Sequence, residues 1–251
     1  MRTPRLYTPQ PLPLGQTIEL EVAAGHYIGK VLRMQEKQEV ILFNQGGTQV
    51  SAHISNISKK IVRVLISAQL EAPQASVLHT HLGQVMSRGE RMDYVIQKAT
   101  ELGVNEITPL YSSRCEVKLD HQRQIKRLTH WQQIAISACE QSGRIDVPLI
   151  HSPQALSTWL ENTSAEVKLV LHPHETRPLE GQQAPLSCAL LVGPEGGFTP
   201  EEVEQAHTEG YTGLSLGPRI LRTETAPIAA LTLLQYVWGD LSPRLTEIQD
   251  R

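Results

Sequence analysis

Two rhythms of hydrophobic and polar positions divide the chain. Between Thr17 and Ser67, β-branched and apolar residues recur in short, partly alternating runs: Thr17–Val22, Glu39–Phe43, Thr48–Ile54 and Lys60–Ile66. Alternation places every second side chain on one face, so these runs predict strands. Asn44-Gln45-Gly46-Gly47 and the stretch from Asn56 to Lys60 supply turns, and His26–Met34 predicts a short helix inserted early. Short strands at this spacing predict a small β-barrel. Pro73 follows Glu71-Ala72 where the composition changes, which divides the chain into domains 1–72 and 73–251.

Beyond Pro73 strands alternate with helices. Ser76–Val85 and Glu106–Tyr111 predict strands, and Met92–Leu102 predicts a helix stopped at Gly103. In His121–Gln141 the residues Ile125, Leu128, Trp131, Ile134 or Ala135, and Ala138 fall on one helical face, ended by Gly143. Val167–Leu171 and Ala189–Val192 are almost wholly apolar, as strands covered on both faces of a parallel sheet must be. Thr199-Pro200-Glu201-Glu202 has the form of a capping box, and Gly210 ends the helix it starts. Tyr211–Leu216 predicts a strand, and Pro227–Trp238 an apolar helix that suits a core or an interface. This alternation predicts an α/β domain with a parallel sheet.

Composition narrows the class. Hydrophobic residues at 40% and charged residues at 20% are ordinary for a globular protein. Met1–Gly15 holds Arg2, Arg5 and four prolines but no apolar core, so no export is expected, and Ala226–Trp238 is too short to span a bilayer. Cys115, Cys139 and Cys188 are odd in number and unpaired in spacing, which points to a reducing, cytoplasmic setting and to small buried hydrophobes rather than nucleophiles. The net charge of −3 covers an asymmetry: residues 1–72 carry eight Lys/Arg against five Asp/Glu, and residues 73–251 carry fifteen against twenty-one. Taken alone, this describes a solvated surface as well as it describes a phosphate-binding one.

Candidate chemistry lies where predicted parallel strands give way to loops, the ends at which such sheets bind ligands. Three segments qualify: Leu171-His172-Pro173, Gly193-Pro194-Glu195-Gly196-Gly197, and Leu216 through Thr225, which reads L-G-P-R-I-L-R-T-E-T. Glycine lets backbone groups approach a flat ligand closely. The spacing matches neither the dinucleotide fingerprint nor a phosphate loop, so neither a nicotinamide nor ATP is expected. His79 and His81 alternate on a strand, but the sequence offers no evident third ligand, and no metal is expected.

The combination resembles the 16S ribosomal RNA (uracil-N3)-methyltransferase family of the SPOUT superfamily. His26-Tyr27-Ile28-Gly29-Lys30-Val31-Leu32-Arg33, Gln97-Lys98-Ala99-Thr100-Glu101-Leu102-Gly103, Ala138-Cys139-Glu140-Gln141-Ser142-Gly143-Arg144 and the three loops carry the likeness over nearly the whole chain. One departure is Met86-Ser87-Arg88-Gly89, where many relatives carry Pro-Lys before the glycine; the charge is kept. The resemblance implies an α/β protein with a PUA-like N-terminal RNA-binding barrel and a C-terminal trefoil-knotted domain, a homodimer, and S-adenosyl-L-methionine as methyl donor to a uridine of 16S ribosomal RNA. It implies that Leu171, His172, Pro173, Gly193, Pro194, Glu195, Gly196, Gly197, Leu216, Gly217, Ile220, Leu221 and Thr225 hold the cofactor. Arg222 is the candidate for stabilising an anionic pyrimidine, and Glu224 for orienting it or accepting a proton. For RNA the candidates are Arg5, Lys30, Arg33, Lys59, Lys60 and Arg88, with Glu140 and Arg144 reaching either the substrate strand or a second subunit. Two other readings remain at this stage: a knotted methyltransferase acting on another RNA atom, and a non-catalytic RNA-binding assembly factor.

Overall fold

The computed structural model describes residues 3–58, 61–172, 179 and 183–241, with Ala23 described by its backbone alone. It separates into two compact units, one of residues 1–74 and 136–147, the other of residues 75–135 and 148–251.

The first unit is built on a five-stranded sheet. Its strands are β1 (Arg5–Tyr7), β2 (Thr17–Glu19), β3 (Glu39–Phe43), β4 (Gln49–Ile57) and β5 (Val62–Leu70), in the order β1-β3-β4-β5-β2. Only the β1–β3 pairing is parallel. Strand β5 shows the period-2 logic directly: Val62, Val64 and Ile66 are buried, whereas Arg63, Leu65 and Ser67 are exposed. With Leu6, Val40, Leu42, Val50 and Ile54 they form one core. The predicted early helix is instead α1 (Val22–His26), continued by a π-helical turn over Tyr27–Val31 that buries Ile28. Strand β2 accordingly ends at Glu19, short of Val22. Strand β1 carries too few residues between prolines for alternation to announce it.

The second unit is a parallel sheet with helices. It comprises β6 (His79–Val85), α2 (Arg91–Glu101), β7 (Glu106–Tyr111), α3 (His121–Ser142, whose last turns fall in the first unit), β8 (Leu149–Ile150), β9 (Gln154–Ala155), α4 (Leu156–Asn162), β10 (Val167–Leu171), β11 (Ser187–Val192), α5 (Pro200–Thr208), β12 (Thr212–Leu214) and α6 (Ala226–Val237). The order β12-β10-β11-β6-β7-β8 is parallel throughout. Strand β11, with Cys188 through Val192 all buried, lies between β10 and β6, as its unbroken apolar run requires.

Helix α5 starts with the predicted capping box: Thr199 Oγ1 accepts from Glu202 N–H, and Thr199 N–H donates to the Glu202 carboxylate. The stripe on α3 needs one correction. Trp131 and Ala135 are buried, but Ile125 is 54% exposed, because helical period says which face is apolar and not where along the helix its neighbour begins. Strand β6 starts at His79 and β12 covers only Thr212–Leu214, both shorter than expected. Among the described residues no helix is long and apolar enough to cross a membrane.

Candidate cofactor and substrate site

Adjacent strands β12, β10 and β11 all point their carboxyl ends the same way, so the loops that follow them meet. His172 N–H donates to Leu214 O at 3.2 Å, tying the β10 loop to the end of β12. Thr223 is buried and donates its hydroxyl to Gly193 O at 2.8 Å, while the wholly buried Gln84 donates to Thr223 Oγ1 at 3.2 Å. These bonds fasten the loop after β12 to the loop after β11 and to the neighbouring strand β6.

A cavity of about 660 Å³ results. Leu171, His172, Gly193, Pro194, Glu195, Gly196, Gly197, Ile220, Leu221, Arg222 and Glu224 line it, joined by Arg91, Val192, Phe198, Thr223 and Ala226. Leu216 and Gly217 border a smaller adjoining space that shares Leu171, His172, Ile220 and Leu221. A third cavity of about 1290 Å³ shares Arg91, Glu195, Gly196 and Glu224 with the first and adds Arg88, Tyr94, Arg114 and Thr225. Every described residue predicted to hold the cofactor therefore lies on this connected group of cavities; Pro173 lies outside the described residues.

The loops offer backbone and leave space. Gly197 and Gly217 have φ of +68° and +90°, which glycine alone adopts without strain, and no atom lies within 4 Å of where a Cβ would stand. At Gly193 a Cβ would sit 3.1 Å from the Phe198 ring, so that close approach also depends on glycine. The apolar walls of Leu171, Ile220 and Leu221, with bare backbone between them, fit S-adenosyl-L-methionine, a ligand with a flat base and a charged tail.

Charge is arranged around the shared wall. Arg91 bridges Glu195 at 2.5 Å and Glu224 at 3.8 Å, and Arg114 donates to Gly196 O at 2.7 Å. Glu224 therefore faces Arg91 rather than Arg222, so the local Arg222–Glu224 bridge that their spacing allows is not formed. The Glu224 side chain is only 18% exposed, whereas Arg222 is exposed and makes no ion pair among the described residues. Sequence reasoning missed Arg91, Arg114 and Phe198, which reach the site from distant points of the chain. The only signal for Arg91 was its place just after the Arg88-Gly89 segment.

The candidate RNA residues divide. Lys30 and Arg33 are exposed on the first unit, and Arg88 is exposed on the second beside Glu116 at 2.8 Å. Arg5 is instead half-buried; its guanidinium bonds Gln49 and the carbonyls of Gly143 and Arg144, and lies over the Phe43 ring. Arg144 pairs with Asp146, its side chain 12% exposed. Glu140 accepts from Tyr7 N–H at 3.0 Å; burial raises its pKa, and that hydrogen bond pulls the other way. Arg5 and Glu140 thus tie the 136–147 segment to strand β1 within the first unit, while Arg144 pairs inside that segment. Lys59 and Lys60 lie outside the described residues.

Comparison with known proteins agrees with this geometry. The RNA methyltransferase domain family matches residues 73–235, and the RNA methyltransferase PUA domain family matches residues 20–67. Ribosomal RNA small subunit methyltransferase E of Buchnera aphidicola (Schizaphis graminum) is 40% identical, over 96% of this chain and 99% of that protein. The protein of the same name from Bacillus subtilis is 30% identical over 91% and 93%. A methyltransferase structure from Legionella pneumophila with bound S-adenosylmethionine superposes with a TM-score of 0.93 at 43% identity, covering 96% of this chain and all of that one. The Neisseria gonorrhoeae ribosomal RNA small subunit methyltransferase E bound to S-adenosyl methionine gives 0.90 at 37%, with the same coverage. With glycine loops converging at the switch point of a parallel sheet, and with likeness over nearly its full length, the chain belongs to the ribosomal RNA small subunit methyltransferase E family.

Proposed function

We propose that this chain methylates N3 of a uridine in 16S ribosomal RNA, as a cytoplasmic homodimer with a trefoil-knotted catalytic unit. One observation carries the reading: the cavity lined by the three strand-end loops shares a wall, through Arg91, Glu195, Gly196 and Glu224, with a larger cavity that adds Arg88 and Arg114. The smaller space suits a methyl donor and the larger one, edged by arginines, an anionic strand.

S-Adenosylmethionine supplies an electrophilic methyl group on sulfur. The backbone of Gly193 through Gly197 and the walls of Leu171, His172, Leu216, Ile220 and Leu221 orient it, with Thr225 on the adjoining rim. Uracil N3 carries a proton that must leave before its lone pair can take the methyl carbon as the sulfur–carbon bond breaks. Arg222 places a permanent positive charge beside a uracil oxygen and stabilises the anion. Glu224, on the shared wall and held near Arg91, accepts the N3 proton. Lys30, Arg33 and Arg88 supply phosphate contacts.

Nucleoside mass spectrometry of 16S ribosomal RNA tests the reading. RNA from cells lacking the protein should lose N3-methyluridine and regain it on complementation. Loss of a different methylated nucleoside would instead support another RNA target, and no change would support an assembly factor.

A further inference from the structure

Toward the amino ends of β6 and β7 stands a second cluster that methyl transfer does not use. His79 and His81 lie two residues apart on β6 and so share a face. Glu106 begins β7 and pairs in register with His81. His151 follows β8, its N–H donating to Ile107 O at 2.9 Å. His151 Nε2 lies 2.6 Å from one Glu106 oxygen, and His79 Nε2 lies 3.4 Å from the other. One ligand atom from each of His81, Glu106 and His151 lies within 4.8 Å of the others.

We propose that His81, Glu106 and His151, with His79 beside the carboxylate, bind one divalent cation of the zinc class. Imidazole nitrogens and a carboxylate are the donors such an ion takes, at about 2.0–2.2 Å, and three protein ligands leave one tetrahedral position for water. Tetrahedral ligand atoms at those bond lengths stand about 3.4 Å apart, so no pair among His81, Glu106 and His151 need close by more than roughly 1.4 Å. An ion also accounts for the composition: three imidazoles around one carboxylate make a poor ion-pair cluster, since charged rings would repel one another.

The surroundings fit. Thr108 Oγ1 lies 2.8 Å from His81 Nε2. A proton on Nε2, donated to Thr108, leaves Nδ1 for the ion, which is how outer-shell partners orient metal-binding imidazoles. The approach of Trp159 Nε1 to the same Nε2, at 3.3 Å, is then given up. The ion would clamp together β6, β7 and the segment after β8.

Titration of the purified full-length chain with Zn²⁺, followed by calorimetry, tests this. One ion should bind per chain, removable by EDTA, and at a hundredfold excess over Kd it should raise Tm by roughly 5–10 °C. Co²⁺ should give the visible absorption of a tetrahedral nitrogen–oxygen site. His151→Gln and Glu106→Gln, each with unchanged circular dichroism, should weaken Zn²⁺ at least tenfold. Absence of stoichiometric binding, or equal affinity in both variants, overturns the proposal and leaves a hydrogen-bonded cluster. If neither variant folds, anomalous scattering from crystals of the native chain grown with Zn²⁺ decides, by placing the ion at these residues or elsewhere.

Discussion

The two ends of the parallel sheet are built on opposite principles. At the carboxyl ends of β10, β11 and β12 the site is made of backbone: glycines at 193, 196, 197 and 217 strip away side chains, and one buried threonine, Thr223, pins two loops together. At the amino ends of β6 and β7 the cluster is made of side chains, three imidazoles and a carboxylate gathered from positions 79, 81, 106 and 151. A backbone site must be written contiguously, since each loop needs its own glycines and prolines. A side-chain site needs only register between strands, so its members scatter along the chain.

That contrast can be broken experimentally, beginning where the effect should be greatest. Arg222→Ala should lower methyl transfer to small-subunit RNA by about 10²-fold or more, the usual cost of removing a group that stabilises developing negative charge. Its Zn²⁺ affinity should be unchanged. Glu224→Gln should fall in the same class, and full activity in both, measured by labelled methyl incorporation, would remove their assigned roles. His151→Gln should do the reverse, losing Zn²⁺ while keeping S-adenosylmethionine affinity within about twofold, because it touches no cofactor loop.

Smaller effects refine the picture of the sheet between the ends. A Cβ at Gly83, midway along β6, would lie 2.5 Å from the Trp159 ring, so Gly83→Ala should destabilise the protein by about 1–3 kcal/mol through overpacking. Denaturant unfolding reads this directly, and an unchanged midpoint would contradict the packing. Least of all, burial pushes the thiols of Cys139 and Cys188 up to about 12, so both should resist alkylation at neutral pH while the half-buried Cys115 reacts first. Mass spectrometry of briefly alkylated protein checks the order.

Much of the catalytic half was legible because its signals are local. Almost wholly apolar runs announced β10 and β11, the capping box announced α5, and the glycine loops announced the cofactor side. What escaped was short or distant. Strands β1, β8 and β9 have two or three residues, too few for a period to show. Helix α4, Leu156-Ser157-Thr158-Trp159-Leu160-Glu161-Asn162, spans two turns with no side-chain cap, yet supplies Trp159 to the core. Arg91 and Arg114 were invisible as site residues because nothing local says that their loops return to the glycine loops. For Arg5 the sequence offered RNA, and for Glu140 and Arg144 either RNA or a second subunit; in the fold Arg5 and Glu140 bond backbone groups and Arg144 pairs with Asp146. Charge alone cannot say which partner a side chain finds.

The account turns on whether the three loops hold a methyl donor. Isothermal titration of the full-length chain with S-adenosylmethionine should give saturable binding, one per chain, lost at least tenfold in Gly217→Val, whose φ of +90° a branched side chain cannot share without strain. No heat with the native chain, or undiminished affinity in a folded Gly217→Val, would contradict it.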